Sequence, residues 1–448
     1  MASKLVKDNH SSLPAISERM AFFSIPPREK GVQRKYYVDK RPISQLTDPS
    51  SPYVFELSND STDMIDLPAT RLHVKAKLLK KDGTTVAKED YASVTNLLLH
   101  SLWEKVEVEV KKKAMTDSTL SYPYISYFKT MKCLGKANSL SLPSIGFSLD
   151  KGDMDAPGMV TPAAGSTEAR KYNRGGAERF TWLEEGKVFE MEGPLLSDLF
   201  ECDRYLLNNC PMTLSLTRSK SPFVVLARNN EEDYVLHLDD VYVKMCYVQP
   251  SPAAILGIDA ALEKDHKALY PMTRSELKSY NIPEGYNDIR LENLFMNKVP
   301  KFVMLGLVSM EGKNGQYNKN PFNFKHYDIR RLGLSVNGAY IPGKPLDMNF
   351  TGSGQNYVTP YRNFVQCMEG NGLNGVTMDM FKNGYSIFVF NIEPEEKGTQ
   401  DPGDIPAGSV NLELNWGTAL PETVSLIVYA EFPMVMKLGK SRSPEFCC

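Results

Sequence analysis

The stretch LGLSVNGAYIPGKPL, residues 332–346, admits two readings that lead to different proteins. Gly338, Gly343 and Lys344 fit the G-x-x-x-x-G-K part of a phosphate-binding loop, and a strand-like run precedes them as that motif requires. In the other reading Leu332, Leu334 and Val336 alternate with Gly333 and Ser335, and Asn337-Gly338 turns the chain into a β-hairpin. The loop reading lacks two parts. Pro345 stands where Ser or Thr would hold Mg²⁺, and residues 347–355 read as loop, not as a helix with its N-terminus on the phosphates. The hairpin reading stands, and the region is β-scaffold.

Outward from the hairpin, the same period of two recurs. In RLHVKAKL, Leu72, Val74, Ala76 and Leu78 alternate with His73, Lys75 and Lys77; in VEVEVK, Val106, Val108 and Val110 alternate with Glu107, Glu109 and Lys111. Val410, Leu412, Leu414 and Trp416 do the same against Asn411, Glu413 and Asn415. One apolar and one polar face is the mark of antiparallel sheet. Turn signals at Asp82-Gly83, Asn337-Gly338 and Asn383-Gly384 punctuate the runs, and helices are few. One helix is expected from Ser251-Pro252 through Ala268, ended by the Pro271 region, as a linker between two parts of comparable length.

Those two parts resemble each other. His100 stands six residues before Val106, and His326 six before Leu332, at a constant offset of 226; Leu98 then falls opposite Phe324 and Trp103 opposite Ile329. Downstream, each part has Pro-Tyr followed by a helical apolar stripe: Pro123, Tyr124, Tyr127, Phe128, Met131, and Pro360, Tyr361, Phe364, Val365, Met368. Gly135 and Gly370 close the two helices. This is an internal duplication of one β-domain. In the first copy Lys111-Lys112-Lys113 replaces Asn337-Gly338-Ala339, so no glycine loop is common to both copies.

The 448 residues, 42% hydrophobic and 24% charged with a formal charge of −2, describe a globular chain that is not a whole-body polyanion binder. Local charge differs. Up to Arg41 the chain carries nine basic and four acidic residues, an excess of five, so residues 1–50 read as a basic arm open to nucleic acid, an acidic surface or water. Seven scattered cysteines have no zinc-type spacing and suit reduced thiols; Cys447-Cys448 reads as a frayed tail. The start has no apolar h-region of a secretory signal, and no apolar run is long enough to span a bilayer.

Catalytic chemistry is missing from the motifs. The six histidines are isolated, with no H-x-H or H-E-x-x-H, and no G-x-S-x-G is present. His100 and His326, at equivalent positions, read as a shared packing feature. The acidic clusters 59–66 and 150–155 lack EF-hand spacing and read as solvated loops. Arg170, Lys171, Arg174 and Arg179 fall in a Gly-rich stretch expected to be a long exposed loop. No catalytic residue, metal ligand or cofactor is assigned.

The segments VDKRPISQL, FELSNDSTDMIDL, TRLHVKAKLLKKDG, NLLLHSLWEKVEVEV and SYPYISYFKTM resemble, in order, the first half of the major capsid protein of Polinton (Maverick) elements and adintoviruses. PMTRSELKSYNIPEG, ENLFMNKVPKFVMLGLV, NPFNFKHYDIRRLGLSVNGAYIPGKPL and the helix after Tyr357 resemble its second half, so the likeness covers roughly residues 36 to 438. It implies an all-β double jelly roll: two tandem eight-stranded antiparallel β-sandwiches with short helices. The expected parts are an arm over 1–50, a first roll over 51–250, a helical linker over 251–270, a second roll over 271–438 and a tail over 439–448.

The resemblance further implies a structural role without enzymatic activity. Three chains would form a pseudo-hexameric homotrimer that tiles an icosahedral virion around double-stranded DNA, in contact with neighbouring capsomers and with penton and minor capsid proteins. Such a protein is made as a soluble intracellular protein of the host cell. Lys30, Arg34, Lys35, Lys40 and Arg41 would make non-specific contacts to the genome inside the shell. The inserts 141–180 and after Glu393 are expected on the outer surface or clasping neighbours. Two alternatives stay open: a host-domesticated Polinton-derived protein, and a carbohydrate-binding jelly roll.

Overall fold

The computed structural model describes residues 31–43, 51–57, 62–116, 121–134, 141–160, 171–228, 233–351, 354–367, 375–392 and 405–447. The first half contains β1 (Val32–Lys40), β2 (Tyr53–Leu57), β3 (Arg71–Lys80), β4 (Trp103–Val110), β5 (Lys113–Ala114), β6 (Phe189–Pro194), β7 (Met212–Arg218) and β8 (Tyr234–Pro250). The second contains β9 (Ala268–Ile282), β10 (Asp288–Leu291), β11 (Phe302–Ser309), β12 (Ile329–Val336), β13 (Ala339–Asp347), β14 (Ile387–Asn391), β15 (Val410–Trp416) and β16 (Val424–Leu438). Strand orders in the first half are β1-β8-β3-β6 and β2-β7-β4-β5; in the second they are β9-β16-β11-β14 and β10-β15-β12-β13. Adding eight to every strand number of the first pair of sheets yields the second pair. All these pairings are antiparallel, and the chain is a double jelly roll.

The duplication read from the 226-residue offset is thus strand for strand. VEVEV belongs to β4 and LGLSV to β12, each third in its sheet, with Val106, Val108, Val110, Leu332 and Leu334 buried. Asn337 and Gly338 take φ of 50° and 85°, the type I′ geometry whose twist suits a two-residue hairpin, and Val336 pairs with Ala339. Lys344 is exposed on β13, in a strand and not in a loop before a helix. In the first roll Lys111 and Lys112 take the same turn, with φ of 49° and 63° and no glycine.

Several boundaries differ from those expected. Residues 32–40 are not an arm. They form β1, which pairs with the end of β8 from Val32↔Pro250 to Lys40↔Val243. The linker helix, here α3 (Pro252–Glu263), ends earlier than Ala268, and Pro271 lies inside β9. That strand is at a sheet edge, where a residue without N–H breaks no ladder. Part of the tail is also a strand, β17 (Pro444–Cys447), paired with β16 from Val435↔Cys447 to Leu438↔Pro444.

From Lys171 onward the Gly-rich basic stretch is not an exposed loop either, and Arg170 lies outside the described residues. Residues Arg174–Leu183 form helix α2, with Asn173 as N-cap accepting from Gly176 N. Its glycines serve contact: a Cβ on Gly175 would lie 2.7 Å from Leu149 O, and one on Gly176 2.9 Å from Pro157 O. Of the insert 141–180, residues Phe147 and Met154 are buried in the core of the second roll, so its described part is not simply an outer surface.

Each roll has its own apolar core, and each lends residues to the other's. From helix α1 (Tyr122–Cys133) of the first roll, Tyr124, Tyr127, Phe128 and Met131 join the second-roll core; Tyr270, Met436 and Leu438 of the second roll join that of the first.

Candidate functional site

The feature that distinguishes this chain from two independent sandwiches is the seam between them. Helix α1 sits there, buried on nearly every side from Tyr122 to Met131. Tyr127 stacks on Phe322 with centroids 4.5 Å apart, and Tyr124 Oη donates to Pro321 O at 3.1 Å. Lys129 cannot leave this helix for water, so its charge is met locally. Its Nζ lies 2.9 Å from Asp198 and 2.8 Å from Glu201. Burial alone would lower the Lys129 pKa, but the two carboxylates outweigh it and hold the ammonium above its ordinary range.

The chain of polar contacts continues into the second roll. Asp198 Oδ2 accepts from Ser275 N at 2.8 Å, Ser275 Oγ lies 3.2 Å from Tyr429 Oη, and Tyr429 donates to Glu431 at 2.9 Å. Lys132 then returns to the first roll, 2.6 Å from Glu431 and 4.5 Å from the Phe302 ring centroid. A second tie runs through the fully buried pair Arg179–Asp150, at 2.6 Å; Arg179 also donates to Val94 O and Ser148 O, and Tyr385 donates to Asp150 O at 3.0 Å. A third involves β17. Lys111 donates to Ser441 O, Lys113 donates to Pro444 O at 2.7 Å, and Arg442 donates to Asn208 at 2.9 Å.

The seam covers the edge strand β9. Arg204 donates to Leu269 O at 2.7 Å, Tyr270 donates to Tyr205 O at 3.2 Å, and Leu207 N donates to Tyr270 at 3.2 Å. The covering segment is the β6–β7 connection of the first roll. Strand β1 holds the equivalent edge position in the first roll but has no such cover among the described residues, and Tyr37 and Val38 are 55% and 36% exposed.

The expected basic group does not converge. Lys30 lies outside the described residues. Arg34 packs over the Tyr36 ring, Lys35 pairs with Asp66 at 2.9 Å and Arg41 with Asp240 at 2.5 Å, while Lys40 ends β1. The acidic clusters are tied into the fold. Asp63 accepts from Tyr36, Asp150 holds Arg179, and Asp155 accepts from Asn320 N at 2.9 Å; Asn59, Asp60 and Ser61 lie outside the described residues. Among the described residues no three His, Cys, Asp or Glu gather in a metal-binding arrangement, and no helix is long and apolar enough to cross a membrane.

The paired histidines are alike in a lowered pKa but not in burial: His100 is buried and His326 half-buried. His100 Nδ1 lies 2.8 Å from Tyr122 Oη, and burial lowers its pKa to about 3. His326 Nδ1 accepts from Asp328 N at 2.8 Å, its ring stacks on Phe350, and burial lowers its pKa to about 4. The seam itself went unread in the sequence. Its one visible sign is Lys129, a charge within the apolar run of α1.

No known protein-family profile matches the chain. An uncharacterized protein of Caenorhabditis elegans, F54H12.2, is 25% identical over 411 residues, 88% of this chain and 92% of that protein. Among solved structures, a quasi-atomic capsid of virus PBCV-1 aligns with a TM-score of 0.58 at 10% identity, over 95% of this chain and 99% of that one. The mavirus major capsid protein aligns at 0.52 and 12% identity over 100% and 96% of the two chains. The Faustovirus major capsid protein aligns at 0.54 and 8% identity over 94% and 93%. These likenesses bear on the fold, and they agree with the strand orders.

Proposed function

We propose that the chain is a major capsid subunit of a Polinton-type element or related double-stranded DNA virus, acting by assembly and not by catalysis. The observation that carries this reading is the unequal treatment of two equivalent edges. The β6–β7 connection of the first roll covers β9, whereas the matching edge β1 has no such cover among the described residues. Shifted by eight, the equivalent partner for β1 is the second roll of another copy. Repeating that head-to-tail contact closes a ring of six jelly rolls from three chains, the block that tiles a shell. The sequence likeness to Polinton and adintovirus capsid proteins supports the same reading.

Genome contact by the N-terminal region belongs to this proposal in a reduced form. With β1 withdrawn from the arm, residues 1–30 keep five basic and three acidic side chains, an excess of two in place of five. Contacts to DNA would be few and salt-sensitive. The C. elegans relative favours a second reading, in which an animal genome carries the gene and the product keeps the fold without packaging DNA.

Light scattering on the purified protein tests the assembly. A mass about three times the 50.3 kDa of the chain, with hexagonal outlines in negative-stain images, is expected. A stable monomer through the micromolar range would sink the capsid reading.

A further inference from the structure

Helix α3 is apolar nearly all round, with the sequence PAAILGIDAALE, yet Leu262 is its one buried residue. A helix of that composition is normally enclosed. Ile255, Ile258 and Leu262 form the inner side, with Ile258 packed on the first-roll core. Asp259 and Glu263 face the C-terminal segment, 3.9 Å from Arg442 and 2.7 Å from Lys440. What remains is an outer stripe of Ala253, Leu256, Gly257 and Ala260 at i, i+3, i+4 and i+7, all exposed, with Leu256 71% exposed. A Cβ built on Gly257 meets no atom within 4 Å, so nothing described lies above the stripe.

The position of the N-terminal segment relative to this helix is informative. Ser251, the N-cap of α3, donates its backbone N–H to Gly31 O at 2.8 Å. Residues 1–30 therefore join the described structure at the first turn of the uncovered helix. Within them, MAFFSIPP, residues 20–27, is the densest apolar run, with Met20, Phe22, Phe23 and Ile25. Reach is no obstacle. Twelve helical residues extend about 18 Å, and the eleven residue steps from Met20 to Gly31 span up to about 36 Å when extended.

We propose that the outer face of α3 is a docking strip for the chain's own residues 20–25. Phe22, Phe23 and Ile25 would cover Leu256 and the small residues around it, whose flatness admits aromatic rings. The segment before Gly31 would then be anchored beside the linker, leaving residues 1–19 as the free part. The proposal stands on α3 and Gly31 alone and holds whether or not the chain builds a shell.

Hydrogen exchange read by mass spectrometry on the full-length protein tests it. Peptides covering residues 20–25 are expected to exchange at least about tenfold more slowly than an unstructured chain. Leu256→Glu should remove that protection, and so should Ala260→Asp, an independent change on the same face. Circular dichroism checks that both variants stay folded. Tenfold dilution distinguishes a second copy: protection that falls with dilution assigns the strip to a neighbouring chain and overturns the proposal. Full-rate exchange of residues 20–25 in the unaltered protein overturns it as well. So does protection acquired only with phosphatidylcholine–phosphatidylserine vesicles, which would make the strip a lipid contact.

Discussion

The carboxylate of Asp198 in the first roll accepts the backbone N–H of Ser275 in the second at 2.8 Å, so the rolls are joined through an acid that Lys129 neutralises. Substituting Lys129→Met leaves Asp198 and Glu201 facing each other without their cation. Breaking a buried ion pair from one side costs on the order of 3 kcal/mol. The unfolding temperature is expected to fall by several degrees, and Asp198→Asn with Glu201→Gln in the same protein should restore most of it. Thermal unfolding of the single and triple variants checks this; equal losses in both would show that the charges are not coupled.

The two hairpins place different residues in one geometry. Lys112 at φ 63° bears the left-handed strain that Gly338 at φ 85° avoids. Lys112→Gly should raise stability by about 1 kcal/mol, and Gly338→Ala, which meets open space but keeps the positive φ, should lower it by a similar amount. Midpoints of urea unfolding decide the signs.

Protonation of His100 and His326 sets an acid limit. The folded pKa values of about 3 for His100 and about 4 for His326 lie below the ordinary 6.5, so below pH 6.5 the unfolded chain takes up protons that the folded chain refuses. Stability is full above that pH and is lost as pH falls towards 4, by up to about 1.4 kcal/mol per pH unit for each histidine. In His100→Gln/His326→Gln the drop in unfolding temperature between pH 7.5 and pH 5 should be smaller. An unchanged drop would assign the acid sensitivity to other groups.

The β1 edge gives a test of assembly. Val38→Asp puts a carboxylate on β1 where a neighbour is proposed to pack, and should convert trimers to folded monomers by light scattering. Lys344→Ala, on an exposed strand position, serves as the control. It should leave assembly intact and stability within about 0.5 kcal/mol. Trimers that persist in Val38→Asp would move the interface elsewhere.

The architecture was legible where burial imposes a period, and the seam was not. Val106 to Val110 and Leu332 to Val336 face cores on one side, so alternation exposes both strands and the duplication follows from their spacing. Strand β1 escaped because an edge with Arg34, Lys35, Tyr37, Asp39 and Lys40 buries little on either side, and its composition matches that of a solvated arm. Arg174 to Arg179 misled for the opposite reason. Gly175 and Gly176 are small to let α2 approach residues 149 and 157, a demand visible only in three dimensions. The pairing of Lys129 with Asp198, 69 residues away, leaves no local trace either.

The grip of Lys111 and Lys113 on Ser441 and Pro444 also fixes an order of events during synthesis. The first roll's hairpin leaves the ribosome some 330 residues before its partner strand β17. Until β17 emerges, that hairpin has no carbonyls to hold and β16 lacks this neighbour. Joining through β17 therefore comes only after the strands of both rolls have been made, and a chain interrupted within the second roll carries a first-roll hairpin with no β17 to hold.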